Sequence, residues 1–378
     1  MLVLRRLLRN WEENSMVEWK KLGNFCDIGT GSNNREDSCE KGLYPFYVRS
    51  KEILRINTYL FDEEAILIPG EGGIGEIFHY INGKYGLHQR TYRVHPIKGE
   101  IKGKYVYYYL FEHFKSYIDK KSYKSTATSI RKPMLLDFPV AIPSKSEQER
   151  IVSILDTFTS SISNLKEQIK ERRKQYEYYR DQLLDLEGKD GVEWKIFGEV
   201  CEVFDGTHQT PKYKESGIKF VSVENISAPY SSNKFISLED YNSKYKIKPK
   251  RNDVLMTRIG DVGTCYVLNS DEPIAYYVSL ALLRPNEDFV LSNYIKHIIE
   301  SKTGKVELRK RTLLTAVPLK INLGEISKIR IPIPSKEEQH RIVTILNQFE
   351  ASIANLEAQL KEREKQYEYY RNQLLTFE

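Results

Sequence analysis

The chain has 378 residues, 40% of them hydrophobic and 29% charged, with a formal net charge of +6. That composition excludes a low-complexity or collagen-like polymer, and the mild basic excess is compatible with an anionic partner without demanding one. No apolar run approaches the roughly 18 residues of a membrane span, and Arg5 and Arg6 interrupt the apolar start too early for a signal-peptide core, so a cytoplasmic protein with no membrane partner is expected.

Residues 5–19 (RRLLRNWEENSMVEW) resemble residues 180–194 (RDQLLDLEGKDGVEW), so residues 1–16 read as a helical tail like the end of a helix that leads into a globule. Met16 aligns near Gly191, and both Met1 and Met16 stand open as the natural start.

A first globule is expected over residues 17–143. Short β-branched and aromatic runs such as LYPFYVRS alternate with Gly, Asn and Asp, and YVYYYLFEHFKSYI (105–118) has a helical pattern. This is an α+β pattern with a mostly antiparallel or mixed sheet. Gly70, Gly72 and Gly75 satisfy G-x-G-x-x-G, but strand and turn residues follow where a dinucleotide site requires a helix, so they read as a tight turn. A basic stretch holds Lys120, Lys121, Lys124, Arg131 and Lys132 among hydroxyl side chains, the chemistry that neutralises and contacts phosphates. Polar loop residues able to reach base edges are Asn33, Asn34 and Arg35, then Arg49, then His88, Gln89 and Arg90.

Residues 144–188 predict one long helix. Ser144 and Glu147 form a capping box, and Gly188 marks the end. One seam holds Ile151, Phe158, Leu165, Arg172, Tyr179 and Leu186, and the other Leu155, Ile162, Ile169, Tyr176 and Leu183, which is coiled-coil spacing with one polar position at Arg172.

A second globule is expected over 189–334. EWKIFGEVCEVFDG (193–206) resembles EWKKLGNFCDIGTG (18–31), and DVLMTRIGDVGTCYVL (253–268) aligns with AILIPGEGGIGEIFHY (65–80), matching Gly260 to Gly72 and Gly263 to Gly75. Its helical segment is SNYIKHIIESKTG (292–304), and its basic stretch holds Lys302, Lys305, Arg309, Lys310 and Arg311. Candidate base-edge readers are His208, Gln209, Lys212, Asn225, Arg258 and Tyr277.

Residues 335–378 then repeat the first helix. Over 46 ungapped positions, 142–187 and 333–378 share 31 identities, and the seam recurs down to its polar position, Arg363. Parallel pairing of the copies would require the chain to return along the full helix length, so an antiparallel coiled coil separating two pseudo-symmetric globules is expected. Tyr178 and Tyr369 fall outside the seam, and either pack on a neighbouring globule or form a docking stripe for another subunit.

The four cysteines (Cys26, Cys39, Cys201, Cys265) form no CxxC pair and have no histidine at zinc-finger spacing, so reduced thiols and no metal are expected. There is no HExxH, GxSxG or P-loop, no Asn-Pro-Pro or Asp-Pro-Pro tetrapeptide of an amino-methyltransferase, and no Pro-Asp nuclease start, so no active site is expected.

IPSKSEQERIVSILD and IPSKEEQHRIVTILN, one at the opening of each long helix, resemble the phrase that opens the conserved helices in specificity subunits of type I restriction–modification systems. GTHQTPKY (206–213) and HQRTYRV (88–94) resemble recurring phrases of that family, whereas VSLALLR (278–284) departs from the second. The resemblance spans essentially the whole chain. It implies a non-catalytic subunit with two target recognition domains, each reading half of a split double-stranded DNA sequence. The helices would set the unread spacer and dock two methyltransferase subunits. S-adenosylmethionine, ATP and magnesium would be cofactors of the partner subunits only, among them a restriction–translocase subunit where a system has one. Two other readings stay open: a coiled-coil scaffold with two protein-binding globules, and an orphan specificity subunit serving a methyltransferase alone.

Overall fold

The computed structural model describes residues 17–97, 99, 101–121 and 129–377. The expected tail of residues 1–16 and the candidate Lys124 lie outside the described residues. The chain divides into two compact units, one running to Lys166 and resuming at Ala358, the other Glu167–Glu357.

The first unit contains β1 (Glu18–Lys21), β2 (Cys26–Thr30), β3 (Tyr44–Tyr47), β4 (Ile53–Ile56), β5 (Phe61–Pro69), β6 (His79–Leu87), β7 (Thr91–Pro96), α1 (Gly103–Lys121), α2 (Lys132–Leu136), β8 (Pro139–Ile142) and the start of α3 (Lys145–Leu183). Six strands form one sheet in the order β2-β7-β5-β6-β3-β4. The sheet is mixed, because β3 joins β6 in parallel while its other pairs are antiparallel. Ala65, Ile66, Leu67 and Ile68 of β5 are all fully buried. A central strand covered on both faces needs such an unbroken apolar run. Ile66 and Ile68 join the core formed with Tyr105, Val106, Tyr109, Leu110 and Phe114 of α1, whereas Ala65 and Leu67 pack with Tyr47, Tyr85 and Leu87.

The second unit contains β9 (Glu193–Ile196), α4 (Phe197–Val200), β10 (Cys201–Asp205), β11 (Ile218–Val221), β12 (Phe235–Ile236), α5 (Leu238–Lys244), β13 (Val254–Thr257), β14 (Cys265–Val267), β15 (Ile274–Tyr276), β16 (Leu280–Pro285), α6 (Ser292–Glu300), α7 (Lys302–Arg311), β17 (Thr312–Leu313), β18 (Lys320–Ile321), α8 (Leu323–Ile326), β19 (Arg330–Ile333) and the start of α9 (Lys336–Leu375). Its sheets run β10-β16-β13-β14 and β12-β11-β15. The plan is that of the first unit with changes, among them the added helix α5, the added hairpin β17–β18 and a divided strand. The long hairpin strand β6 has two short counterparts, β14 paired with β13 and β15 paired in parallel with β11. The glycine turn keeps its form: Gly75 and Gly263 both have positive φ (+69° and +101°), and a Cβ there would meet Lys115 at 3.0 Å and Leu308 at 2.4 Å respectively. Only glycine meets both demands.

Each unit ties its globule to the following long helix in the same way. Ser144 and Ser335 cap the backbone N–H groups of Glu147 and Glu338. Gln148, buried, donates to Pro143 O and accepts from Lys102 N. Gln339, buried, donates to Pro334 O and Phe289 O and accepts from Leu291 N. Tyr105 and Tyr294 donate to the carbonyls of Ala141 and Pro332, closing β8 and β19 against their helices.

Antiparallel helix pairing is present inside each unit. In the first, Phe158 stacks on Tyr370 at 5.4 Å, and Lys166 pairs with Glu364 at 2.9 Å. In the second, Arg173 pairs with Glu357, Tyr176 donates to Glu350 at 3.0 Å, and Tyr179 stacks on Phe349 at 5.4 Å. Numbers rise along one helix as they fall along the other. The polar seam positions have matching solutions, with Arg363 over the Phe158 ring and Arg172 over the Phe349 ring. A guanidinium lying on an aromatic face keeps its charge at the edge of the seam. Helix α3 ends at Leu183, short of the last heptad position, yet Leu184 and Leu186 remain buried beyond it.

Candidate nucleic-acid interface

In the first unit, seven residues expected to meet base edges gather around one cleft. Loop 31–37 docks on the loop between β6 and β7. Asn33 N donates to Leu87 O, Gln89 N donates to Asn33 O, and the Gln89 side-chain amide donates to Asn34 Oδ1 at 2.7 Å. Parallel bridging of Asn33 with His88 fixes their register. His88 N donates to Tyr47 O, bringing β3 and Arg49 alongside. Arg35, Arg49, His88 and Glu71 line a cleft of about 280 Å³.

Glu71 was hidden inside the glycine turn as a sequence feature. Its carboxylate accepts from Arg90 at 3.0 Å and Arg49 at 3.1 Å, and those guanidiniums hold it below the usual carboxylate range. The cleft thus presents two forked cationic donors around one acceptor. His88 is pushed down by burial and by the nearby Arg49 and Arg90 charges, so it is neutral at physiological pH. Its Nδ1 accepts from Arg90 N at 3.0 Å, which leaves Nε2 as the N–H donor. Asn33 Oδ1 is buried with no donor among the described residues. Donors, acceptors and amides at one sheet end can read hydrogen-bonding edges.

The basic stretch borders this cleft. Gly70 N donates to Arg90 O and Ile130 N donates to Gly70 O, so the backbone just before Arg131 is bound to the same turn. Arg131 is exposed before α2, and Lys121 lies at the end of α1 with its ammonium 4.7 Å from the Tyr117 ring centre.

The second unit repeats this wiring with different side chains. Thr207 bridges Tyr277, Val278 N donates to Thr207 O, Arg258 N donates to Ser279 O, and Ile321 N donates to Arg258 O. Where the first unit has His88-Gln89-Arg90, the second has Tyr277-Val278-Ser279. His208 is exposed and lies 2.8 Å from Asp205. Gln209 and Lys212 are exposed on the same loop, and Val223 N donates to Ser279 Oγ, which brings Asn225 near. Asn225 Oδ1, like Asn33 Oδ1, has no donor among the described residues.

Arg258 is only 8% exposed. Its guanidinium pairs with Asp205 at 2.8 Å and donates to Val278 O at 2.7 Å. In this state it holds the loop in place and presents little to a ligand. Arg309 and Lys310 are exposed at the end of α7, whereas Arg311 turns inward toward Glu307 and Glu325. Lys310 also pairs with Glu307, yet its side chain remains mostly exposed.

Tyr178 and Tyr369 are each 61% exposed, and each packs edge-on against its neighbour in the YEYYR run, Tyr179 and Tyr370. Among the described residues no group of three or more His, Cys, Asp or Glu is placed to hold a metal ion, and no helix is long and apolar enough to cross a membrane.

The family model described as "Type I restriction modification DNA specificity domain" matches residues 14–172 and again 190–365. The chain is 32% identical over 309 residues to an EcoR124I/EcoR124II type I restriction enzyme specificity subunit of Escherichia coli, covering 72% of this chain and 70% of that one. It is 22% identical over 360 residues to the MjaVIII specificity subunit of Methanocaldococcus jannaschii, covering 86% and 82%. A crystal structure of a type I restriction–modification S subunit from M. genitalium superposes with a TM-score of 0.67 over 98% of each chain at 15% identity, which establishes a shared fold. Two family matches, one over each copy of a duplicated architecture, make this chain a member of the type I restriction–modification DNA specificity family.

Proposed function

We propose that the chain is the non-catalytic DNA-recognition subunit of a type I restriction–modification complex. The first-unit cleft reads one half of a bipartite duplex target and the second-unit loops read the other. In this reading residues 17–143 and 189–334 are the two recognition domains, and 144–188 and 335–378 are the spacer helices. At about 1.5 Å per residue, the 39 residues of α3 and the 40 of α9 supply some 60 Å of stiff length for setting the unread spacer.

One observation carries the proposal. Two units share strand order, the glycine turn and the loop hydrogen bonds, yet carry different side chains at the matching loop position: His88, Gln89 and Arg90, the last two exposed, against half-exposed Tyr277 and Val278 and buried Ser279. A common frame with exchanged tips suits two readers of different sequences. Methylation and cleavage chemistry, with S-adenosylmethionine, ATP and magnesium, then belong to partner subunits: two methyltransferase subunits and, in a complete system, a restriction–translocase subunit. The four unpaired cysteines suit a reducing cytoplasm.

The test is titration of the chain, assembled with its methyltransferase subunits, against duplexes carrying the methylated motif of its host. Tight binding to a split motif, weakening steeply with salt, supports the proposal. Assembly without salt-sensitive duplex affinity contradicts it and favours a protein-binding scaffold.

A further inference from the structure

The second unit exposes an apolar tip on a fixed root. Strands β17 and β18 form a hairpin, Thr312 opposite Ile321 and Leu313 opposite Lys320. Ile321 is fully buried in the unit's core. The root is bound to the end of β13: Ile321 N donates to Arg258 O at 3.0 Å, Gly260 N to Leu319 O at 2.8 Å, and Ile259 bridges Lys320. Beyond the root, Leu314 is 55% exposed and Val317 is 99% exposed. Exposed aliphatics held out by a hydrogen-bonded base are poor surface design unless a partner covers them.

The surroundings select the partner. The hairpin follows Arg309 and Lys310 after the inward-turned Arg311, and Lys320 lies on its returning strand; Arg309, Lys310 and Lys320 are exposed. Through Arg258, whose N–H donates to Ser279 O, the root also adjoins the loop carrying Tyr277. An apolar point with exposed cations on the helix before it and on its own returning strand complements a surface that is anionic outside and apolar within. A DNA duplex has that form, with phosphates at the rim and stacked bases beneath.

On the functional reading above, which it deepens, we infer that hairpin 312–321 is a wedge: Leu314 and Val317 press against a base step beside the bases read by the second unit and partly unstack it, while Arg309, Lys310 and Lys320 hold the flanking phosphates. Apolar wedges of this kind exchange stacking energy for a distorted duplex that meets more protein surface, so they favour deformable steps and add specificity at positions without hydrogen-bonded readout.

The experiment uses the chain assembled with its methyltransferase subunits and its methylated motif, with 2-aminopurine replacing a base at the rim of the second half-site. The Leu314→Ser/Val317→Ser double variant should bind about 10-fold or more weakly, since two aliphatic side chains lose their burial, with an unchanged slope of log affinity against log salt. Arg309→Ala should instead flatten that slope by about one. The probe should brighten on binding the parent chain and stay dim with the double variant. Equal affinity and equal brightening would overturn the wedge. Loss of methyltransferase assembly in the double variant would reassign the hairpin to a subunit contact, and binding to anionic lipid vesicles that the double variant lacks would reassign it to a membrane; either overturns the inference. If the parent chain binds no motif-bearing duplex, the recognition proposal itself fails, and that outcome is visible before any variant is made.

Discussion

Acidification should loosen the second unit through one histidine. His297 on α6 is fully buried, with Nδ1 3.2 Å from the Tyr176 hydroxyl and Nε2 3.0 Å from the Asn347 side-chain amide. Burial, reinforced by the Lys296 charge, pushes its pKa down from 6.5 to about 4. The other ionisable groups around it are Arg180, Glu300, Glu350 and Tyr176. A depressed histidine pKa favours the neutral ring in the fold. Well above pH 6.5 the ring is neutral folded or unfolded and nothing is lost. Between 6.5 and about 4 the unfolded chain takes up a proton that the folded unit refuses, so stability falls with pH. From pH 7 to pH 5 the loss from this group is about 2 kcal/mol. For a unit of this size that lowers the melting midpoint by roughly 4–8 °C. Glu300 acts with the opposite sign, because burial raises its pKa and the folded unit then binds its proton more readily than the unfolded chain. A His297→Phe variant retains Glu300, so the difference between parent and variant isolates the histidine. The assay is urea unfolding at pH 7 and pH 5, followed by Trp194 fluorescence in a chain whose Trp11 and Trp19 are replaced by Phe. The parent should lose about 2 kcal/mol more than His297→Phe over that interval. Equal losses would show that His297 does not resist protonation in the fold.

Gln339→Ala removes three hydrogen bonds and leaves the Leu291 N–H and two carbonyls without that partner, so thermal denaturation should show a loss on the order of 3 kcal/mol. Changing Tyr178 and Tyr369 to Ser should leave the melting point nearly unmoved, since both rings are mostly exposed, and should weaken methyltransferase binding measured by calorimetry. Because Lys166 and Glu364 are ion-paired across the helices, one heptad inserted after Lys166 and another before Glu364 keeps the seam in phase. It adds about 10 Å, close to three base pairs, and methylation mapping should find both half-sites unchanged with that much more spacer between them.

The duplication was legible because a heptad seam and a capping box survive as literal text, and the seam residues predicted from it meet in both units: Phe158 with Tyr370, Tyr179 with Phe349. The parallel β3–β6 and β11–β15 pairings were not legible, because alternation of side chains reports a strand's faces and not its neighbour. Gln148 and Gln339 looked like ordinary polar residues of a helix start, yet they are buried to satisfy backbone groups of the preceding globule. Glu71 was absorbed into a glycine pattern, and its importance depends on Arg49 and Arg90, which the sheet brings to it from distant positions. Arg258 matched the chemistry of a base reader, but whether a guanidinium faces outward depends on an aspartate 53 residues away, Asp205, which no local pattern reveals.

The most direct test of two independent readers on one frame is adenine methylation mapped across the host genome, with the gene intact and with residues 17–141 replaced by the corresponding globule of a relative. Both strains should carry a split motif, with one half exchanged and the other half and the spacing retained. Changes in both halves together, or methylation at an unsplit motif, would contradict two independent readers.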